Sequence, residues 1–282
     1  MGAEPIVTVP LQLRVALGLV PGLPLRPFEA WLAAAAVPAG RRPRFGLSTT
    51  ADHAATTCWT SVEPVDAADY LLTRFAGVTS DDELDLIAAV VERVEPARVG
   101  HFIEVSAGAP DRGWSVPVEM PLGRALAMID PNAAVERLLE LAARRGLDRC
   151  TRWSRSIGAG NRFTEVVVPL PDLALGLEAV AELGAPAPVA VRDAVAAAGA
   201  AGTALSVWIT RAGLSKVGLV LPAPSTVAVL RLCAAVGRTG MDRLAAVEGA
   251  LGVDGATSVE AAVFADRVAI QMDYELPTED AR

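Results

Sequence analysis

Five times along the chain, a pair of short alternating segments closes on a proline. The closing segments are Ser61-Val62-Glu63-Pro64, Val118-Glu119-Met120-Pro121, Val166-Val167-Val168-Pro169, Leu219-Val220-Leu221-Pro222 and Tyr274-Glu275-Leu276-Pro277. Successive closing prolines lie roughly fifty residues apart, a period at which repetition dictates architecture. Helix signals fill the intervals after the first four. Ser80-Asp81-Asp82-Glu83 is a capping box ahead of Leu84, Leu86, Ile87, Val90 and Val91. Asp130-Pro131, Asp172, Ser225 and Thr239 read as further N-terminal caps, and Gly146, Gly184, Gly199 and Gly252 as stops. The spacing predicts helix pairs at about 65–95, 122–146, 172–199 and 225–252, and a lone helix from Pro27 to Ala36. Hairpins are expected at about 43–63, 99–120, 149–169, 204–221 and 259–276.

A hairpin with two helices cannot bury its own sheet face, so the units must join. Ten antiparallel strands in sequence abolish their edges by closing into a barrel, with the helices outside. The fold class expected is therefore α/β of the α+β type, a ten-stranded antiparallel β-barrel forming one domain over residues 1–282 with a ligand-binding lumen. Tandem ferredoxin-like units are the disfavoured alternative, because five hairpins do not divide evenly. Alternation then sorts the faces. Leu205, Val207, Ile209, Val217, Leu219 and Leu221 form an apolar face in the fourth hairpin, and Ser206, Trp208, Thr210, Lys216 and Gly218 a mixed one. In the last strand Val268, Ile270 and Met272 alternate with Arg267, Ala269, Gln271 and Asp273. Val166-Val167-Val168 leaves the third hairpin without an assignable face.

Composition bounds what such a lumen serves. A formal charge of −8 argues against nucleic acid and anionic membrane surfaces as partners. No apolar run reaches about 18 residues unbroken, so no membrane span is expected. Met1 to Val20 lacks the basic and apolar regions of a signal peptide, and Cys58, Cys150 and Cys233 are odd in number and widely spaced. The expectation is a cytoplasmic protein with reduced thiols. His53 and His101 are too few for a His-based metal site, so no cofactor is expected and magnesium has no visible ligand set. Monomer and homodimer stay open.

A closed barrel of five helix-hairpin-helix units resembles the aromatic prenyltransferases of the ABBA type. That resemblance lies in repeat order and spacing over nearly the whole chain. It implies an enzyme of bacterial specialised metabolism that moves an allylic prenyl group from a diphosphate to an aromatic acceptor. Basic residues would hold the diphosphate, and aromatic faces would shield the cation. Lys216 and Arg267 match positions where the family places diphosphate-binding basics, and Arg162 lies close to a third. Ser115 stands where the family has a lysine, and Cys58 where some members carry an acidic, magnesium-associated residue. Tyrosines are nearly absent: Tyr70 falls on a helix, and Tyr274 points away from the lumen by alternation.

Other residues compete for the site. Lys216 is the only lysine in the chain, against 24 arginines. Arg152 shares its strand with Ser154 and is a further basic candidate. Glu119, Glu104 and Asp273 are expected as lumen carboxylates, with Glu119 ranked first because it lies deep in its strand; a dry lumen would suit them to acid/base work. Trp208 and Phe102 are expected to line the cavity beside Gln271, and Trp59 to pack in the core. Three functions therefore stay open. One is aromatic prenyl transfer, one is acid/base cyclisation or rearrangement without diphosphate, and one is non-catalytic carriage of a small ligand. A converging basic trio favours the first, and a buried carboxylate cluster the second.

Overall fold

The computed structural model describes residues 18–19, 44–51, 54–62, 72, 79–94, 99–105, 111–157, 162–199 and 201–275. Among these residues, ten strands form a closed barrel in which every strand pairs antiparallel with its neighbours in sequence, and β1 pairs with β10. They are β1 (Arg44–Thr49), β2 (Ala54–Val62), β3 (Val99–Val105), β4 (Asp111–Pro121), β5 (Arg149–Ser156), β6 (Thr164–Pro169), β7 (Ala204–Thr210), β8 (Gly213–Pro222), β9 (Ser258–Phe264) and β10 (Val268–Glu275). Pro121, Pro169 and Pro222 close β4, β6 and β8, where a missing N–H donor stops the ladder. Pro64, Pro277 and the helix expected from Pro27 to Ala36 lie outside the described residues.

Helices follow the even strands: α1 (Asp81–Val94), α2 (Leu122–Leu126), α3 (Ala133–Arg145), α4 (Leu173–Glu182), α5 (Val189–Ala198), α6 (Thr226–Ala235) and α7 (Leu244–Leu251). Caps set their starts. Asp172 accepts from the Leu175 amide at 2.8 Å, and Ser225 from Ala228 at 3.2 Å. Two expected caps are displaced. Asn132, not Asp130, caps α3 by accepting from the amides of Ala134 and Val135. Thr239 caps nothing; Gly240, at φ +74°, turns the chain into a short 3-10 turn before α7.

The barrel wall separates two environments. Leu205, Val207, Ile209, Val217, Leu219 and Leu221 are at most 3% exposed and pack against the helices. Each such side chain contributes about 1.5–3 kcal/mol on burial. Helix α4 approaches this face closely through Gly176: a Cβ there would lie 2.7 Å from Leu219 and 2.8 Å from Leu170. Tyr274 is fully buried on the outer side and donates to Glu248 at 3.4 Å, so it does face away from the lumen. Trp114 and Trp153 also pack in the outer core, with ring centroids 5.0 Å apart.

Candidate functional site

Glu165 is the centre of the lumen. Strand β6 reads Thr-Glu-Val-Val-Val-Pro, and the period of two puts Thr164, Val166 and Val168 on the helix side and Glu165 and Val167 inside. Glu165 sits opposite Trp208 on β7 and Ser154 on β5. One oxygen, Oε1, gathers its partners: Ser206 Oγ donates at 2.7 Å, Trp208 Nε1 at 3.1 Å and Arg152 Nη2 at 3.3 Å. Lys216 Nζ stands 3.5 Å from the same atom. Burial works to raise the carboxyl's pKa, but the charges of Arg152 and Lys216 and the two neutral donors outweigh it. Glu165 is held well below the usual carboxylate range.

Lys216 is shared. Its ammonium is 2.7 Å from Glu260 Oε1 and 4.0 Å above the Trp208 ring. The contact with Glu260 is an ion pair lying off the hydrogen-bond axis. Glu260 comes from β9, opposite Val220. Its carboxylate lies across Gly218, where a Cβ would fall 2.2 Å from Oε1.

Asp273, on β10, is held differently. Ser258 Oγ donates to it at 3.0 Å and Gln271 Nε2 at 3.2 Å, and no cation lies within ion-pair distance among the described residues. Burial raises its pKa; Arg152 and the two donors lower it, Glu260 adds to the rise, and the net direction is up. Arg152 is pulled the other way: burial lowers its pKa, but Glu165, Asp273 and Glu260 hold its proton more firmly. Its Nε is shut off from solvent and has no hydrogen-bond partner.

Aromatic rings occupy the hairpin-tip side of this cluster. Phe163 stacks on Trp208 with centroids 3.7 Å apart, and Phe264 meets Trp208 edge-on at 5.9 Å. Phe163 and Lys216 both lie over the Trp208 indole, which is thus engaged with protein groups.

Five expected site residues thus fall within this cluster: Lys216, Arg152, Trp208, Asp273 and Gln271. Others fall elsewhere. Glu119 ranks first among the expected lumen carboxylates, yet its side chain is 73% exposed and paired with Arg149 at 2.6 Å. The register of β4 against β5 shifts between Pro117 and Met120, and this irregularity breaks the parity on which the expectation rested. Arg162 is exposed in the connection before β6, outside any strand. Arg267 is exposed in the β9–β10 turn, paired with Asp266 at 3.1 Å and stacked on Phe264 at 4.5 Å. Cys58 pairs in register with Phe45 and Ile103, the row that holds Tyr274 on the outer side. Glu104, opposite Thr57 and Asp111, falls in the row that runs through Gly46 to Asp273, and Phe102, opposite Trp59 and Gly113, in the row of the same parity that runs through Arg44 to Glu275. Ser115 is opposite Ser154, in the row of Glu165. Trp59, expected in the core, shares the register row of Phe102.

Glu165 and Glu260 were missed. Glu165 is hidden in the apolar run Val166-Val167-Val168, which masks the alternation. Glu260 alternates with Val259 and Ala261 and has the same parity as Lys216 across the β8–β9 ladder, a signal legible once that pairing is drawn. Among the described residues, no group of three or more His, Cys, Asp or Glu side chains is arranged to hold a metal ion.

The barrel has a solved counterpart. The aromatic prenyltransferase AnaPT from Neosartorya fischeri superposes with a TM-score of 0.59 over 84% of this chain and 78% of that one, at 9% identity. The fold is a prenyltransferase-like barrel. No family model matches the sequence. A PH domain-containing protein of Dictyostelium discoideum is 29% identical over 177 residues, 58% of this chain. The chain spans 38% of that relative's length. No helix among the described residues is long and apolar enough to cross a membrane.

Proposed function

We propose that the chain is an enzyme acting inside the barrel lumen, and that it moves protons on an oxygen-bearing aromatic or isoprenoid-like small molecule. The reaction class is cyclisation or rearrangement without departure of a diphosphate. One observation carries this reading: both cations of the central cluster are already held by carboxylates. Arg152 and Lys216 face Glu165 and Glu260, two positive charges already matched by two carboxylates. A diphosphate entering there would meet like charge, and a single repulsion at 4 Å is worth about 4 kcal/mol at an effective dielectric constant of 20.

In this reading the partly exposed Arg152 guanidinium binds a substrate oxygen. Asp273, its pKa raised by burial, delivers its carboxyl proton to one atom of the substrate. The resulting carboxylate takes a proton from another atom, so the enzyme ends as it began and no further reactant is consumed. Gln271 and Ser258 hold the carboxyl in place through both steps.

Aromatic prenyl transfer is the second reading, supported by the likeness of fold to AnaPT and by two basic residues within the barrel. Dimethylallyl diphosphate decides between the two. The expected result is no rise in melting temperature at millimolar ligand, whereas a ligand at 100 times its Kd would add about 2.7 kcal/mol. A clear rise, lost in Lys216→Met, would overturn the proton-transfer reading.

A further inference from the structure

Gly218 is where the backbone of β8 meets a charged side chain. A Cβ built on it would fall 2.2 Å from Glu260 Oε1, 2.9 Å from Cδ and 3.0 Å from Cγ. No real Cβ tolerates such distances, so the Glu260 carboxylate occupies the space that any other residue at 218 would fill. The backbone at Gly218 lies outside the positive-φ region, so turn geometry does not explain the glycine. What it provides is a berth.

That berth has a consequence across four strands. Resting on Gly218, Glu260 meets Lys216 at 2.7 Å; Lys216 in turn stands 3.5 Å from Glu165, and Glu165 accepts from Arg152 at 3.3 Å. Glu165 is 10% exposed at its side chain, Glu260 4% and Lys216 1%, so none of these charges has water to fall back on. We infer that Gly218 is a positioning residue: it seats Glu260, which locks Lys216 between two carboxylates and thereby fixes the Glu165–Arg152 pair. The carboxylate is the far end of a flexible side chain, so Gly218→Ala displaces Glu260 and spares the fold.

The lock is independent of which reaction the lumen performs, and its test reads the lysine rather than turnover. Lys216 is the only lysine, so protein labelled with 13C-lysine gives a single ε-methylene signal that reports this site. In Gly218→Ala that signal moves towards the position of a solvated lysine. Modification by trinitrobenzenesulfonate also accelerates on the order of tenfold, the change that ~1.4 kcal/mol of lost protection makes. Glu260→Ala produces the same two changes. Because Gly218 acts through Glu260, the double variant behaves like Glu260→Ala alone, a non-additive cycle. An unmoved lysine signal in Gly218→Ala, or effects that add in the double variant, would overturn the inference. Should Gly218→Ala fail to fold, an unmoved signal in Glu260→Ala overturns it equally. Failure of the diphosphate experiment above leaves this one untouched.

Discussion

Lys216 Nζ and Glu260 Oε1 meet at 2.7 Å with side chains 1% and 4% exposed, an ion pair spanning β8 and β9 inside a closed barrel. Desolvation on this scale makes each charge dependent on the other. Lys216→Met leaves Glu260 buried without its cation and strips Glu165 of one of two. The expected loss is about 3–5 kcal/mol, read as a fall in urea midpoint with an unchanged slope. Adding Glu260→Gln to that variant restores much of the loss, because the stranded charge is gone. A single-variant loss no larger than that of a surface pair would show that the two side chains do not depend on one another.

Glu119→Ala makes the opposite test. The side chain is 73% exposed, and its contact with Arg149 joins it to a residue 59% exposed. An exposed pair of this kind contributes at most about 1 kcal/mol. The variant therefore keeps the wild-type melting temperature within a degree or two (about 0.5 kcal/mol). Any lumen activity found for the chain is likewise unchanged. Loss of that activity in Glu119→Ala would return the carboxylate to the site.

Much of the barrel was legible because its signals are local and repeated. The fourth hairpin, expected over 204–221, spans Ala204–Pro222, and its face assignment placed Trp208 and Lys216 correctly. A solitary lysine on the mixed face of a strand is a strong pointer, since an apolar wall offers it no partner. What local alternation could not supply was long-range register. The irregularity between Pro117 and Met120 breaks the strict parity that put Glu119 inside. Glu165 and Glu260 lie 51 and 44 residues from Lys216 in the chain, and only strand pairing brings them to it. Arg267 matches a family position and Arg162 lies close to another, yet both are exposed beyond the strand ends.

Cys150 and Cys233 provide a chemical check on the core. Burial pushes the Cys150 thiol up to about 11, opposed weakly by contacts with the backbone of Arg152 and Val167, and the Cys233 thiol up to about 12. The thiolate is the reactive form, so both are nearly inert at mildly alkaline pH. Iodoacetamide should leave both unlabelled in the native protein and label both after denaturation, as mapped by peptide mass. Native labelling of Cys150 would mean that the β4–β5 wall opens.

Two lumen carboxylates should bend the pH dependence of stability in opposite directions. Glu165 has its folded pKa below the ordinary 4.5, so its contribution is complete above that value and drains away as pH falls towards the folded one. Asp273 has its folded pKa above the ordinary 3.8, so over the interval between the two the native state binds the extra proton. There stability declines as pH rises. Unfolding free energies measured in urea from acidic to neutral pH separate the two effects. Glu165→Gln lowers stability at neutral pH, because Arg152 and Lys216 lose a partner, and flattens the acid limb. Asp273→Asn removes the decline on the other side, so its advantage over the wild type grows as pH rises through that interval. If the acid limb of Glu165→Gln ran parallel to that of the wild type, the four contacts gathered on Glu165 Oε1 would not be holding its proton off. Glu165 would then no longer stand as the electrostatic centre of the lumen.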